Sequence, residues 1–326
     1  MDNNEFKIGA LRHVRFAGRP TITVSHFTER TNPILAVAKY ATANRCNRPG
    51  QFISWVFERA GLSIDSYRGD PLQRRLSACL RALHAETEAH AHALLERKPD
   101  LLPKALDALL IGVTEFFRDP SVFEALRTEI PPRLSLPSRP LRVWSAGCSN
   151  GAELYSMAVL LDQIGLLEGS FLLGSDCRRA AIERAQTALY NSSELRNMVP
   201  PDRHRYFNDA GSFCHPIELL RCHVNWKVAD LARGIEEGPW DIILWRNMAI
   251  YLNADAAESV WQGLASSMTP EGLLIVGRAE RPPKALPLIN VRRCIYRFGS
   301  PKDSRTLMLR PQRTSNSHSN TLETHI

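Results

Sequence analysis

The chain has 326 residues, 44% of them hydrophobic and 23% charged, and a formal net charge of +7. These proportions are ordinary for a folded globular protein, and the length allows two modest domains or one large one. No apolar run approaches the roughly 18 residues that span a bilayer, which excludes a helical membrane protein. The positive balance suits an acidic partner, such as nucleic acid or an acidic protein surface, as well as it suits solubility.

Seven cysteines are scattered without a C-x-x-C pair, so neither a disulfide framework nor a common zinc site is indicated. The start, Met1-Asp2-Asn3-Asn4-Glu5, lacks the basic and apolar blocks of a secretory leader. Reduced thiols and a cytoplasmic location are therefore expected.

Residues 1–50 are expected to be a poorly patterned leader. From Gln51 the pattern turns helical, with Phe52, Val56 and Phe57 at helical spacing and Gly61 as the stop. Asp70-Pro71 is a helix start, an acid followed by proline at the first helical position. The helix that follows aligns Leu72, Leu76, Leu80 and Leu83, with Arg74, Arg75 and Arg81 off that stripe. Residues 85–95 and 102–111 read as two further helices, so an N-terminal all-helical domain is expected over 51–118. His84, His90 and His92 lie in polar helix and read as solvated.

Next comes Ile111-Gly112-Val113-Thr114-Glu115-Phe116-Phe117-Arg118-Asp119-Pro120. The aromatic pair has to pack, which sets Thr114 and Arg118 on one face at i and i+4. Arg118 can meet a carboxylate of a ligand, or it can form an interdomain salt bridge. Residues 119–140, with Pro131-Pro132 and Pro137-Ser138-Arg139-Pro140, read as a linker.

From 141 to 311 strands and helices alternate, which predicts an α/β domain with a mainly parallel sheet. The strands are expected at 141–146, 170–175, 241–245 and 273–277, and the helices at 152–164, 179–190 and 254–268. Cys294–Phe298 and Thr306–Arg310 read as a terminal antiparallel hairpin. The alternation breaks between Asn191 and Val228, so a small β insert is expected at about 205–228, built from segments such as 217–220 and 223–228. Residues 312–326 are polar and of low complexity, and a disordered tail is expected.

Three places in this domain carry chemistry. The first strand runs into Gly147-Cys148-Ser149-Asn150-Gly151 and then a helix that opens with Glu153. This puts backbone amides and a helix N-terminus at the mouth of a parallel sheet, where nucleoside cofactors bind. The full G-x-G-x-x-G pattern is missing, and an acid at the turn repels phosphate. It welcomes a cationic amino group instead, such as that of S-adenosylmethionine. The second strand ends at Asp176, which can accept ribose hydroxyls or cap the next helix. Asp230-Leu231, at a further strand end, can flank a base or form a surface turn. The third place is Asp241-Ile242-Ile243-Leu244-Trp245-Arg246-Asn247, with Tyr251 just beyond. Polar groups at the carboxyl end of a parallel strand are where ligands sit in open α/β sheets, although Tyr251 can also be a packing tyrosine. Cys214-His215 and Cys222-His223 match no common zinc spacing. The sequence contains no G-x-S-x-G, H-E-x-x-H or P-loop.

Taken together, these segments resemble the CheR family of S-adenosylmethionine-dependent protein-glutamate methyltransferases, which act on chemotaxis receptors. The family's N-x-T-x-F-F-R appears as Gly112 to Arg118. Its W-S-A-x-x-S-x-G-E-E-P-Y-S appears as Trp144 to Ser156, and its D-x-I-x-C-R-N-x-x-I-Y as Asp241 to Tyr251. Tyr67-Arg68 and the helix from Leu72 are similar to the basic helix that approaches the receptor. The segment from Ala188 to Phe207 is similar to the run into the family's β-subdomain. The resemblance covers roughly 51–300.

It implies a class I S-adenosylmethionine methyltransferase sheet and a cytoplasmic, monomeric signalling enzyme. The implied product is S-adenosylhomocysteine, with no metal. The implied partner is the helical cytoplasmic region of a chemoreceptor, with no nucleic acid and no membrane insertion. Cofactor contacts are implied for Gly112, Thr114, Arg118, Gly147, Glu153, Asp176, Asp230, Leu231, Arg246 and Asn247. Catalytic roles are implied for Arg118 and Tyr251, and receptor contacts for Arg68, Arg74, Arg75 and Arg81.

The departures from the family pattern are Gly112 for Asn, Ala152 and Leu154 for Glu and Pro, Cys79 for an arginine of the basic helix, and Gly277-Arg278-Ala279-Glu280 for G-H-S-E. They leave room for two alternatives. One is the same chemistry on another protein or a small molecule. The other is a non-catalytic cofactor-binding adaptor.

Overall fold

The computed structural model describes residues 49–299, except 111, 113 and 132–138. The leader up to residue 48, most of the proline-rich stretch after Pro131, Thr306–Arg310 and the tail 312–326 lie outside the described residues.

The helical part opens with α1 (Gln51–Arg59), which buries Phe52, Ile53, Val56 and Phe57 and is closed by Gly61 at φ +72°. The expected helix from Asp70 is two pieces, α2 (Gly69–Gln73) and α3 (Leu76–Leu83). Arg75 lies between them, and its Nε donates to the carbonyl of Ala108 at 3.2 Å. The pieces sink Leu72, Cys79 and Leu83, whereas Leu76 and Leu80 are only half-buried. Cys79 is thus a core residue, its thiol pushed up to about 11 by burial. The position takes no part in a charged outer face, contrary to the reading of an arginine's replacement. Helix α4 (Glu88–Arg97) is capped by the Thr87 hydroxyl, which accepts from the amide of His90, and α5 (Leu102–Leu109) follows.

The expected linker contains a helix, α6 (Pro120–Glu129), with proline in its first turn and Val122, Phe123 and Leu126 buried. The sheet then begins with β1 (Arg142–Ala146), α7 (Ala152–Gln163), β2 (Phe171–Asp176) and α8 (Arg179–Thr187). Strands β3 (Tyr190–Asn191), β4 (Phe207–Ala210) and β5 (Phe213–Pro216) form a separate three-stranded sheet in the order β3-β5-β4. Helix α9 (Pro200–Tyr206) precedes β4, and α10 (Glu218–Arg221) follows β5.

The main sheet continues with β6 (Val224–Val228), β7 (Trp240–Trp245), α11 (Ala254–Ser266), β8 (Met268–Val276), β9 (Leu288–Arg292) and β10 (Ile295–Phe298). Its order is β6-β2-β1-β7-β8-β10-β9. Only the pairings of β10 are antiparallel.

The β insert is therefore built from 190–216 and not from 205–228. Residues 217–220 enter a helical turn, and β6 pairs with β2 in the main sheet. The strand 295–298 pairs with β8 and β9, the latter a strand that the sequence reading passed over.

The chain goes from β1 outward through β2 to β6, then returns to the other side of β1 as β7. The strand order therefore reverses beside β1, and the crevice at the carboxyl ends of β1 and β7 is the place such sheets offer a ligand. Trp144, Trp240 and Trp245 are fully buried beneath it, and Trp261 of α11 packs edge-on against Trp245 with ring centroids 4.4 Å apart.

Candidate active site

Two adjoining hollows lie at this reversal point and share Gly147 and Met248. The first is lined by Gly112, Thr114, Arg118, Glu153, Arg246 and Asn247, with Cys148, Ser149 and Arg178. The second is lined by Asp176, Asp230 and Leu231, with Tyr67, Cys177 and Leu252. All ten side chains or backbone positions expected to touch a cofactor face one hollow or the other.

The turn after β1 depends on its glycine. Gly147 has φ +79°, and its amide and that of Cys148 both donate to the carbonyl of Ser175, at 2.8 and 2.9 Å. A Cβ at 147 would lie 2.8 Å from Cγ of Met248. The backbone can approach a ligand here because no side chain intervenes.

Glu153 stands in the first turn of α7. Its Oε1 accepts from the Ser145 hydroxyl at 2.9 Å and its Oε2 from Arg246 Nη1 at 3.0 Å. Arg246 also donates through Nη2 to Asp119 at 2.6 Å and to the carbonyl of Arg118 at 2.9 Å. Its Nε is buried without a hydrogen bond. Arg278, one of the departures, pairs with the same Asp119 at 2.6 Å.

Two flanking segments set the rim. Phe116 is fully buried and meets Tyr190 and Phe207 edge-on, with centroids 4.8 and 5.0 Å apart. The amide of Phe117 donates to the Ser156 hydroxyl at 2.9 Å. These contacts hold Thr114 and Arg118 toward the same hollow. On the other side, Asn247 sits at φ +59° in the turn after β7. Glu280, 4% exposed, braces that turn by accepting from the amides of Asn247, Ala249 and Gly277 at 2.7–2.8 Å.

Asp230 Oδ1 accepts from the amide of Ala232 at 3.0 Å, whereas Oδ2 is buried without a hydrogen bond. Burial holds its carboxyl above the ordinary range, against the opposing pull of the Ala232 amide and Arg233. With only Arg233 Nε at 3.9 Å beside it, Oδ2 still has room for the hydrogen bond of an incoming amino donor. Tyr67 closes the same hollow, and burial, with the carboxylates and thiol around it, pushes its phenol up.

Tyr251 is buried, its carbonyl accepting from the amide of Arg68 at 2.8 Å, and it does not line either hollow. Arg68, Arg74 and Arg81 are exposed on the helical part. Arg75 is half-buried and tied to Ala108, so it is not part of that free group.

Sequence reasoning passed over Arg178, Met248, Asp119 and the bracing role of Glu280. Arg178 had a local signal, since it stands two residues beyond Asp176. The other three act through contacts distant in sequence. Among the described residues, no group of three or more His, Cys, Asp or Glu side chains is placed to hold a metal, and no helix is long and apolar enough to cross a membrane.

A mainly parallel seven-stranded sheet of this order, with antiparallel β10 between β8 and the edge strand β9 and a cleft beside β1, defines the class I S-adenosylmethionine-dependent methyltransferase fold. The chain belongs to the CheR methyltransferase family: the model described as "CheR methyltransferase, SAM binding domain" matches residues 112–292, more than half of its length.

A "Chemotaxis protein methyltransferase" of Listeria monocytogenes is 28% identical over 68% of this chain and 85% of the relative. A "Chemotaxis protein methyltransferase 1" of Vibrio cholerae is 30% identical over 56% of this chain and 70% of the relative. A "Probable biofilm formation methyltransferase WspC" of Pseudomonas putida is 31% identical over 71% of this chain but only 56% of the relative.

Proposed function

We propose that this chain transfers a methyl group from S-adenosylmethionine to glutamate side chains of a chemoreceptor, forming methyl esters. The observation that carries the reading is the buried Oδ2 of Asp230, which accepts no hydrogen bond and has only Arg233 Nε at 3.9 Å, in a hollow continuous with Gly147 and Glu153. An adenine amino group would satisfy that oxygen, and the acid at Glu153 suits an ammonium. Two buried atoms without a hydrogen bond, Asp230 Oδ2 and Arg246 Nε, belong to residues of different hollows, which suits a ligand with a base in one and an amino acid in the other.

When bound, S-adenosylmethionine supplies a methyl on a sulfonium, open to in-line displacement by a carboxylate. A glutamate carboxylate is ionised at neutral pH, since its reference pKa is about 4.3. The chain therefore has no proton to remove, and its task is alignment. Glu153 orients the amino-acid end, and Arg246 limits the net charge there. Asp230 and Leu231 fix the base, and Asp176 faces the ribose. Thr114 and Arg118, aimed into the first hollow by the packing of Phe116, stand where the incoming carboxylate is held. Tyr251 shapes the rim through its backbone, in the turn where the Met248 carbonyl accepts its amide at 3.1 Å, so the catalytic role expected of its phenol is not retained. Arg68, Arg74 and Arg81 present a basic face to an acidic receptor helix. Chemotaxis and biofilm relatives both support a signalling protein as substrate.

The test is mass spectrometry of receptor peptides after incubation with the chain and S-adenosylmethionine. The expected result is one added CH2 on glutamate residues. A methyl group found only on lysine, arginine or cysteine contradicts the reading.

A further inference from the structure

Asp176 has its acceptor positions filled. Oδ1 accepts from the amide of Arg178 at 2.9 Å and from its Nε at 3.0 Å. Oδ2 accepts from the amide of Ser149 at 2.9 Å and from Arg178 Nη2 at 3.1 Å. An ionised carboxylate offers about four lone-pair sites, so none remains for a diol. The two backbone donors are fixed by their turns, whereas the two guanidinium donors can leave. Nη1 of the same guanidinium reaches Asp107 at 3.2 Å and the carbonyl of Leu110 at 3.3 Å, at the end of α5. Gly112 gives the guanidinium its place, because a Cβ at 112 would overlap it.

We propose that Arg178 occupies the ribose subsite and competes with the ribose diol for Asp176, so that this side chain sets the affinity of the chain for its nucleoside ligand. The inference rests on the cofactor reading of the cleft. Entry of the diol replaces Nε and Nη2 of Arg178 by two hydroxyl donors on Asp176. The displaced guanidinium keeps a partner in Asp107, which also holds Arg184 at 2.9 Å. Each exchanged bond is charge-assisted, so the ligand gains less on binding than it would at an open carboxylate. Gly112 and Arg178 act as a pair, the first making the space and the second filling it.

The test is calorimetric titration of S-adenosylhomocysteine into the full chain and into Arg178→Met. Methionine keeps aliphatic bulk, leaves Asp176 its two backbone donors and leaves Asp107 paired with Arg184. The variant is expected to bind at least about tenfold more tightly, the worth of one charge-assisted hydrogen bond no longer displaced. The gain is expected to be clearly smaller for the 3′-deoxy analogue, which brings one hydroxyl.

Equal or weaker binding by the folded variant overturns the proposal, as does an equal gain for both ligands. Arg178→Lys serves if the methionine variant fails to fold. A lysine supplies one donor head in place of two, so it too should bind more tightly than the parent, and no gain overturns the proposal. Binding by the parent without a gain in either variant refutes the competition alone. No binding by parent or variants overturns the cofactor reading and this inference with it.

Discussion

Glu280→Ala offers a quantitative test of how the second rim is held. The carboxylate is 4% exposed and accepts from three backbone amides, those of Asn247, Ala249 and Gly277, all at 2.7–2.8 Å. Removing it leaves three donors unmet, one buried and two half-buried, beside a residue held at φ +59°. A hydrogen bond to a charged acceptor contributes about 1.5–3 kcal/mol, and partial relaxation or water entry recovers some of three such bonds. The net loss is then about 4 kcal/mol. For a unit of this size that lowers Tm by roughly 8–16 °C. Once Asn247 is no longer fixed, S-adenosylhomocysteine should also bind at least about tenfold more weakly. Thermal melts followed by calorimetry measure both effects. Glu280→Gln should fall between, since one amide oxygen can still accept from two of the three donors. If the alanine variant melts within about 2 °C of the parent, the bracing argument is wrong, because that shift is worth at most about 1 kcal/mol.

Arg118→Ala should lower kcat by about a hundredfold while S-adenosylhomocysteine affinity changes far less, whereas Tyr251→Phe, which keeps the backbone contact with Met248, should leave both close to the parent's. Parallel losses in kcat and affinity would place Arg118 in ligand binding instead. Gly147→Ala should abolish S-adenosylhomocysteine binding, because it meets both a positive φ and Met248; adding Met248→Ala should relieve only the contact and restore a fraction of it. Asp230 carries a carboxyl raised by burial, so its folded form holds a proton more readily than its unfolded form. Stability from this group is then highest at acid pH and is lost as pH rises through the folded value. Asp230→Asn should therefore raise Tm at pH 7 and give no gain below the ordinary carboxylate range, as paired melts would show.

Much of the sheet was legible because its central strands are mostly apolar and almost wholly buried. All six residues of β7 are buried, and only the first residue of β1 is not. The edge was not legible for the same physical reason. Strand β6 is half-exposed along its length, so its pattern could not say which sheet it joins. Strand β9 follows a proline-rich stretch and has no fully buried residue. Helix α6 hid in a linker reading because prolines flank it, although proline in the first helical turn is a start signal.

The site divides likewise. Gly147, Glu153, Asp176 and Asn247 announce themselves at strand ends. Asp119 and Glu280 act across space on residues already chosen, and only the fold brings them there, whereas Arg178 stands two residues from Asp176 and was passed over. In the sequence Gly112 is only a departure from the family's Asn, whereas in the structure it makes room for a guanidinium.

The central claim is carboxyl methylation, and the stability of the transferred label tests it most directly. Receptor-bearing membranes are incubated with the chain and S-adenosylmethionine labelled in its methyl group, and the protein-bound label is then exposed to base. A glutamate methyl ester releases the label as volatile methanol, and the rate of release should fall about a hundredfold with Arg118→Ala. Label that stays on the protein in base, or no transfer despite tight S-adenosylhomocysteine binding, would contradict the account.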